Sequence, residues 1–356
     1  MTINNRERIG WIDVAKGMAI LAIVTIHTGF LPFSKITAPL LSWTLLIFPF
    51  IGGCLYKPNP SFIKFIIKKS RRLLLPYYIA GLISFIGWLF LRSHYPQNIL
   101  LFPIADTALQ LLLMQGSIFN GPLWFLPSYF ICTSIVEMIY SYWEKRSNKT
   151  QLLLIIILTA FSLYLLSLQI IFPYALDISL LFVSFFLFGI YIKQSLFKLT
   201  SIKFIIFLVI FFTTSLINGT IDLNQRQLNI YPLFLISVCS GIAVIFYISK
   251  WIDKNNNIFI RPLSYLGEKS ILLMIIHWPI IQWLSYFLKI SSISDKIGAN
   301  PTLTSFWLPH TNQPIIRVYV FIFLFFYLSI VLLIFYALDL IFSKKLTKKP
   351  SMTNQY

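Results

Sequence analysis

Apolar runs of close to twenty residues recur along nearly the whole of this chain, and they restrict its fold more than any other feature. At about 1.5 Å per residue, a helix of ~20 residues matches the roughly 30 Å hydrocarbon core of a bilayer. With 58% hydrophobic residues in 356 and only 11% charged, the chain holds more apolar surface than a soluble protein of this length can bury. In lipid each backbone N–H and C=O must be paired internally, and uninterrupted runs of this length achieve that as helices. The expected fold class is therefore all-α, a polytopic membrane protein of about ten transmembrane helices. The spans fall near 11–31, 39–56, 73–91, 122–142, 151–169, 176–193, 201–218, 230–248, 266–287 and 315–342, with both termini cytoplasmic.

The net charge of +18 invites a nucleic-acid reading, but its placement argues otherwise. With a cytoplasmic N-terminus, 22 of the 29 Lys and Arg fall at cytoplasmic ends or loops, the positive-inside pattern that orients membrane proteins. The basic excess is thus topogenic, and no nucleic-acid partner is expected. The first run already carries Asp13 and Lys16 and no small-residue cleavage site follows it, so it reads as a retained span. Organisation follows as a cytoplasmic tail at 1–10, one transmembrane domain at 11–342 and a basic cytoplasmic tail at 343–356. Residues 57–72 read as a basic cytoplasmic link with a short amphipathic piece on the membrane surface, and 104–116 as an interfacial or re-entrant helix. Cys54, Cys132 and Cys239 are far apart within apolar runs, which suits small apolar filler and no metal set.

Ionisable residues inside a hydrocarbon layer are costly and therefore count as functional candidates. The first span has Asp13 and Lys16 at one end and His27 at the other, on nearly one face. Lys16 and His27 are eleven residues apart, about 16 Å of helix axis, so a long thin ligand along that face would reach both. Imidazole exchanges a proton near neutral pH, which makes His27 the first candidate for a general base. His277, mid-span in the ninth helix, is the second. His94 and His310 read as solvated loop residues. The cluster Lys68-Lys69-Ser70-Arg71-Arg72 is either a topogenic anchor on anionic headgroups or a phosphate clamp. Trp124, in Gly121-Pro122-Leu123-Trp124-Phe125-Leu126-Pro127, is either a belt aromatic or a platform for a sugar ring, and Glu137 is expected to pair with a basic loop residue. No phosphate-binding glycine loop, Gly-x-Ser-x-Gly elbow or metal cluster is present in the sequence.

Four of these motifs, in this order, resemble the acyltransferase-3 family of integral membrane acyltransferases. They are Trp11-Ile-Asp13-Val-Ala-Lys16-Gly17 followed by His27, Arg71-Arg72-Leu-Leu-Leu-Pro76, Pro122-Leu-Trp124-Phe125-Leu126, and Gly267-x-x-Ser270 leading to His277-x-Pro279. The flavour is that of the fucose-acetylase-like, O-antigen-modifying branch. The resemblance implies transfer of an acetyl group from cytoplasmic acetyl-CoA, a substrate and not a bound cofactor, to a sugar hydroxyl of an envelope glycan such as O-antigen or capsule. It implies a bacterial inner (plasma) membrane, with membrane lipids as surroundings. The site it implies has His27, Asp13 and His277 as catalytic residues. Lys16, Arg71, Arg72 and Lys68 would bind acyl-CoA, and Trp124 and Phe125 the acceptor. Lys16 stands where many members have Arg, and Tyr129 where many have Glu. Competing readings are a transporter of glycan or lipid-linked sugar and a structural membrane protein whose polar residues only join helices.

Overall fold

The computed structural model describes residues 10–28, 34–91, 103–114, 120–196, 200–255, 258–287 and 325–340. His94, His310, both chain ends and nearly all of the outer loops at 92–103 and 288–314 lie outside the described residues. The helices are α1 (Gly10–His27), α2 (Ser34–Thr44), α3 (Ile47–Cys54), α4 (Phe62–Leu91), α5 (Ile104–Leu112), α6 (Phe125–Trp143) and α7 (Asn148–Ser167). After them come α8 (Leu176–Leu196), α9 (Ser201–Asn218), α10 (Tyr231–Lys254), α11 (Ile260–Glu268), α12 (Ser270–Phe287) and α13 (Phe325–Leu340). A 3₁₀ turn, Gly121–Trp124, leads into α6.

Over its described residues each expected span corresponds to helix. Eight helical stretches are long and apolar enough to cross a bilayer, and Ser270–Leu284 and Phe325–Leu340 are shorter over their described residues. The chain is thus an all-α, multi-pass membrane protein. The second span is made of two helices, α2 and α3. Pro49 has no N–H to give the carbonyl of Leu45 and its ring crowds that oxygen, so the helix is interrupted at Leu45–Leu46.

One expectation is corrected at α4. The basic stretch before the third span is no separate surface piece. Residues 62–72 are the first third of a single 30-residue helix, about 45 Å long, that continues through Pro76. Phe65, Leu73 and Tyr77 are 5%, 2% and 1% exposed, a buried stripe at four-residue spacing that holds this half of α4 against α6.

Two glycine-mediated crossings set the bundle. Where α3 meets α8, a Cβ on Gly53 would fall on the Phe186 carbonyl and one on Gly189 on the Phe50 carbonyl. Where α1 meets α11, a Cβ on Gly17 would fall on the Leu263 carbonyl and one on Gly267 on the Asp13 carbonyl. Small residues let backbones approach closely where no hydrophobic effect drives association between helices. The second crossing leaves α1 at the centre, packed by α11, α10, α2 and α12. Enclosed α8 carries the core, with Ile178, Leu181, Phe182 and Val183 each at 0% exposure, while α7 and α9 show apolar side chains outward.

Polar locks close both ends. At the Lys- and Arg-rich end of the bundle Glu137 accepts from the Tyr56 hydroxyl at 2.8 Å and the Asn59 N–H at 2.9 Å, tying the α3–α4 link to α6. It pairs with these neutral donors instead of a basic loop residue, because the link folds back across it. Asp339 on α13 accepts from Tyr265 and Lys269, both at 2.8 Å. At the opposite end Arg226 grips the fully buried Asp177 with two hydrogen bonds, Nε to Oδ2 at 2.9 Å and Nη2 to Oδ1 at 3.1 Å. Asn218, 6% exposed, donates to the Leu228 carbonyl and accepts from the Ile230 N–H, so its side chain serves the loop.

Candidate active site

The α1–α11 crossing determines where the two intramembrane histidines meet. His27 lies ten residues beyond Gly17 (17 to 27), and His277 lies ten beyond Gly267 (267 to 277). At about 1.5 Å per residue both segments run ~15 Å from the shared crossing, so their ends arrive at one level. There His27 Nδ1 and His277 Nε2 are 2.8 Å apart, with the rings stacked at a centroid distance of 5.0 Å.

The direction of this bond follows from its second neighbour. His277 Nδ1 lies 2.8 Å from the Leu273 carbonyl, which can only accept, so Nδ1 carries the hydrogen. In the neutral ring His277 Nε2 is then an acceptor, and His27 Nδ1 must donate to it. The lone pair of neutral His27 is therefore on Nε2, which has no hydrogen-bond partner among the described residues. His277 is 0% exposed, and the Trp278 ring stands edge-on to His27 at 5.2 Å. The arrangement is an oriented base: one ring holds the other in a single tautomer, as an orienting partner does in nucleophile–base systems. The Trp278 indole Nε1–H is buried beside it without a hydrogen-bond partner among the described residues.

Asn120 supports this geometry, and the sequence reading missed it. Pro279 lacks an N–H, so the Ile275 carbonyl, four residues earlier, has no helical partner. Asn120, 0% exposed, supplies one: its Nδ2 donates to Ile275 O at 3.0 Å and to Ser84 Oγ at 3.1 Å. It thereby joins the 3₁₀ turn, α4 and the histidine-bearing α12. Replacing it as Asn120→Leu strands a buried carbonyl, a cost of about 1–3 kcal/mol. A thermal melt of the detergent-purified protein should show that loss together with slower catalysis; an unshifted melt would contradict the assignment. The sequence signals only that Pro279 leaves a helix carbonyl in need of a partner; nothing in it points to Asn120, 155 positions before Ile275.

The other sequence candidates separate into three places. Asp13 forms an ion pair with Lys16 one turn away, near the α1–α11 crossing and about 20 Å of helix from His27. It holds Lys16 and does not approach the histidines. The face between Lys16 and His27 is closed, because Ile20 and Ile23 are 0% and 3% exposed in the core. A ligand joining the two ends does not run along it. Lys68, Arg71 and Arg72 are exposed on α4. Lys69, which falls on the buried stripe of that helix, points inward between Phe65 and Tyr129, its Nζ 5.3 and 6.0 Å from their ring centres. Trp124 is 5% exposed, stacked on Phe182 and lining a concavity at the end of the bundle that holds the Asp177–Arg226 pair. Phe125 is packed between Tyr129, Phe48 and Phe182 inside the core.

The multi-pass helical bundle thus brings two distant intramembrane histidines into one hydrogen-bonded pair and carries exposed cations on α4. The acyltransferase-3 family profile, an acyltransferase domain, matches residues 9–336, and the chain belongs to that family. It is a membrane acyltransferase. No curated protein and no solved structure matches it significantly.

Proposed function

We propose that this acyltransferase moves an acetyl group from cytoplasmic acetyl-CoA to a sugar hydroxyl of a bacterial surface polysaccharide, working in the inner membrane. The observation that carries the reading is the His277-to-Leu273 bond, which fixes the tautomer and leaves His27 Nε2 as a base aimed away from its partner. The acceptor hydroxyl gives its proton to this nitrogen as its oxygen attacks the thioester carbonyl. The C–S bond then breaks and the departing thiolate takes the proton back from the imidazolium. His277 Nε2 accepts from His27 throughout, which favours the positively charged ring. The unpartnered Trp278 Nε1–H is a donor for the developing oxyanion. Among the described residues no serine or cysteine hydrogen-bonds His27 Nε2, which supports direct attack over an acyl-enzyme.

On the cytoplasmic side the cations Lys16, Lys68, Arg71 and Arg72, with Lys69, would receive the phosphates of acetyl-CoA, arginines by paired contacts. Asp13 positions Lys16 and takes no part at the base. Trp124 offers the acceptor an aromatic wall at the outer face, and Phe125 braces it from within.

The test is the acetyl content of the host's surface polysaccharide, measured by mass spectrometry in wild type, deletion and His27→Ala strains. Loss of acetyl in both mutants with an intact glycan backbone is the expected result. Unchanged acetyl with a truncated or missing backbone would refute it and indicate glycan movement or assembly.

A further inference from the structure

At the outer end of the bundle lies a concavity distinct from the histidine pair. Its walls come from four segments: Gln110 on α5, Trp124 at the end of the 3₁₀ turn, Phe172 in the α7–α8 connection, and Asn224, Gln225 and Arg226 in the α9–α10 loop. That loop is stiff. The Arg226 guanidinium is clamped on Asp177 and on the Asn224 carbonyl, Gln169 donates to the Arg226 carbonyl at 3.0 Å, and Asp222 and Gln227 bond each other's backbones at 2.8 and 2.9 Å.

Three properties define what such a surface would hold. Gln110, Asn224 and Gln225 line the concavity, and their side-chain amides form no hydrogen bond with any described residue, which leaves three donor–acceptor pairs for a ligand. The Arg226 charge is cancelled by Asp177 in a bidentate pair, so an anion finds no free cation in this wall. Trp124 adds an aromatic wall. Amides that can both give and accept beside an aromatic, in a neutral setting, match a hydroxyl-rich ring with an apolar C–H face. The connection to the chemistry is short. One turn of 3₁₀ helix, about 8 Å at 2.0 Å per residue, leads from Asn120, bonded to the histidine-bearing helix, to Trp124 on the concavity.

We propose that this concavity, built by Gln110, Trp124, Asn224 and Gln225 around the neutralised Asp177–Arg226 pair, holds a neutral glycosyl unit of the acceptor next to the unit that is acylated. The proposal rests on the reading that the acceptor is a glycan. It assigns acceptor register to the outer loop, away from the base.

The probe is the host's surface polysaccharide stripped of acetyl by mild alkali, presented with acetyl-CoA to the full chain in detergent micelles. Gln110 is half-buried and Gln225 exposed, so the double variant Gln110→Ala/Gln225→Ala leaves the core untouched. Loss of two neutral hydrogen bonds is expected to raise the KM for polysaccharide about tenfold, with kcat and the KM for acetyl-CoA unchanged. An unchanged polysaccharide KM, or a change confined to kcat or to acetyl-CoA, overturns the assignment. If the wild type transfers no acetyl to this polysaccharide, the glycan-acceptor reading fails on its own. Equilibrium binding of the same polysaccharide then decides the concavity. About tenfold weaker binding by the double variant supports it, and equal binding, or none by the wild type, overturns it.

Discussion

His27→Ala is expected to lower acetyl transfer by about three orders of magnitude, in the range assigned to a positioned general base, while the protein purifies as the wild type does. His27→Gln should be equally inactive, because an amide can keep the contact to His277 but cannot take a proton. This separates catalysis from helix joining, since a residue that only joins helices would tolerate Gln. In the proposed mechanism His277 acts through His27 as a positioning residue. His277→Ala removes the acceptor at 2.8 Å from His27 Nδ1 and leaves the ring free to turn or change tautomer, for an expected loss of about a hundredfold. His277→Gln presents an amide oxygen that can accept the same hydrogen and should recover part of that loss. Initial rates with labelled acetyl-CoA for these four variants, alongside size-exclusion profiles, decide the matter. Equal rates for His277→Ala and His277→Gln would remove the orienting bond from the account.

The second large effect is structural. Gly17→Val or Gly267→Val should abolish recovery of folded protein, because the added carbons meet backbone and no side-chain rotamer can move aside. A Cβ on Gly17 falls on the Leu263 carbonyl, and one on Gly267 falls on the Asp13 carbonyl and close to the Gly17 nitrogen. Ordinary overpacking costs about 1–3 kcal/mol after neighbours adjust, and here the neighbour is main chain, so the cost lies at or above the top of that range. Gly87→Ala is the matched control. Its nearest neighbour is the Trp283 ring at 3.8 Å, an ordinary contact, and the variant should behave as wild type. The monodisperse fraction in detergent is the readout, and a well-folded Gly267→Val protein would show that the crossing is not tight.

The spans were legible because each is a long apolar run with cations gathered at one end, a signal local to the run. Membership of the acyltransferase-3 family was legible because short motifs held their order along residues 8–280. Contacts between distant residues were not. The two histidines are 250 positions apart, and no periodicity links them; only the equal distances from Gly17 and Gly267 could have suggested that they meet. The amphipathic reading of 57–72 failed because its cations hide an apolar stripe, Phe65, Leu73 and Tyr77, that continues the helix inward and takes Lys69 with it. The family resemblance groups Asp13 with His27 as catalytic, and the two lie on nearly one helix face. A face shared over fourteen residues is still a separation of about 20 Å, and Lys16 lies a single turn away.

The crossing of α1 and α11 also makes the chemistry dependent on the lipid around it. It serves as a fulcrum, and the histidines ride on two arms of ~15 Å. A change of about 4° in the angle between the arms displaces one ring by ~1 Å relative to the other, enough to break a 2.8 Å bond. Helices answer a bilayer of the wrong thickness by tilting. Acyl transfer by this bundle should therefore have an optimum in acyl-chain length of the host lipid, with rate falling on either side before the protein unfolds. The membrane becomes a component of the catalyst's alignment as well as its solvent.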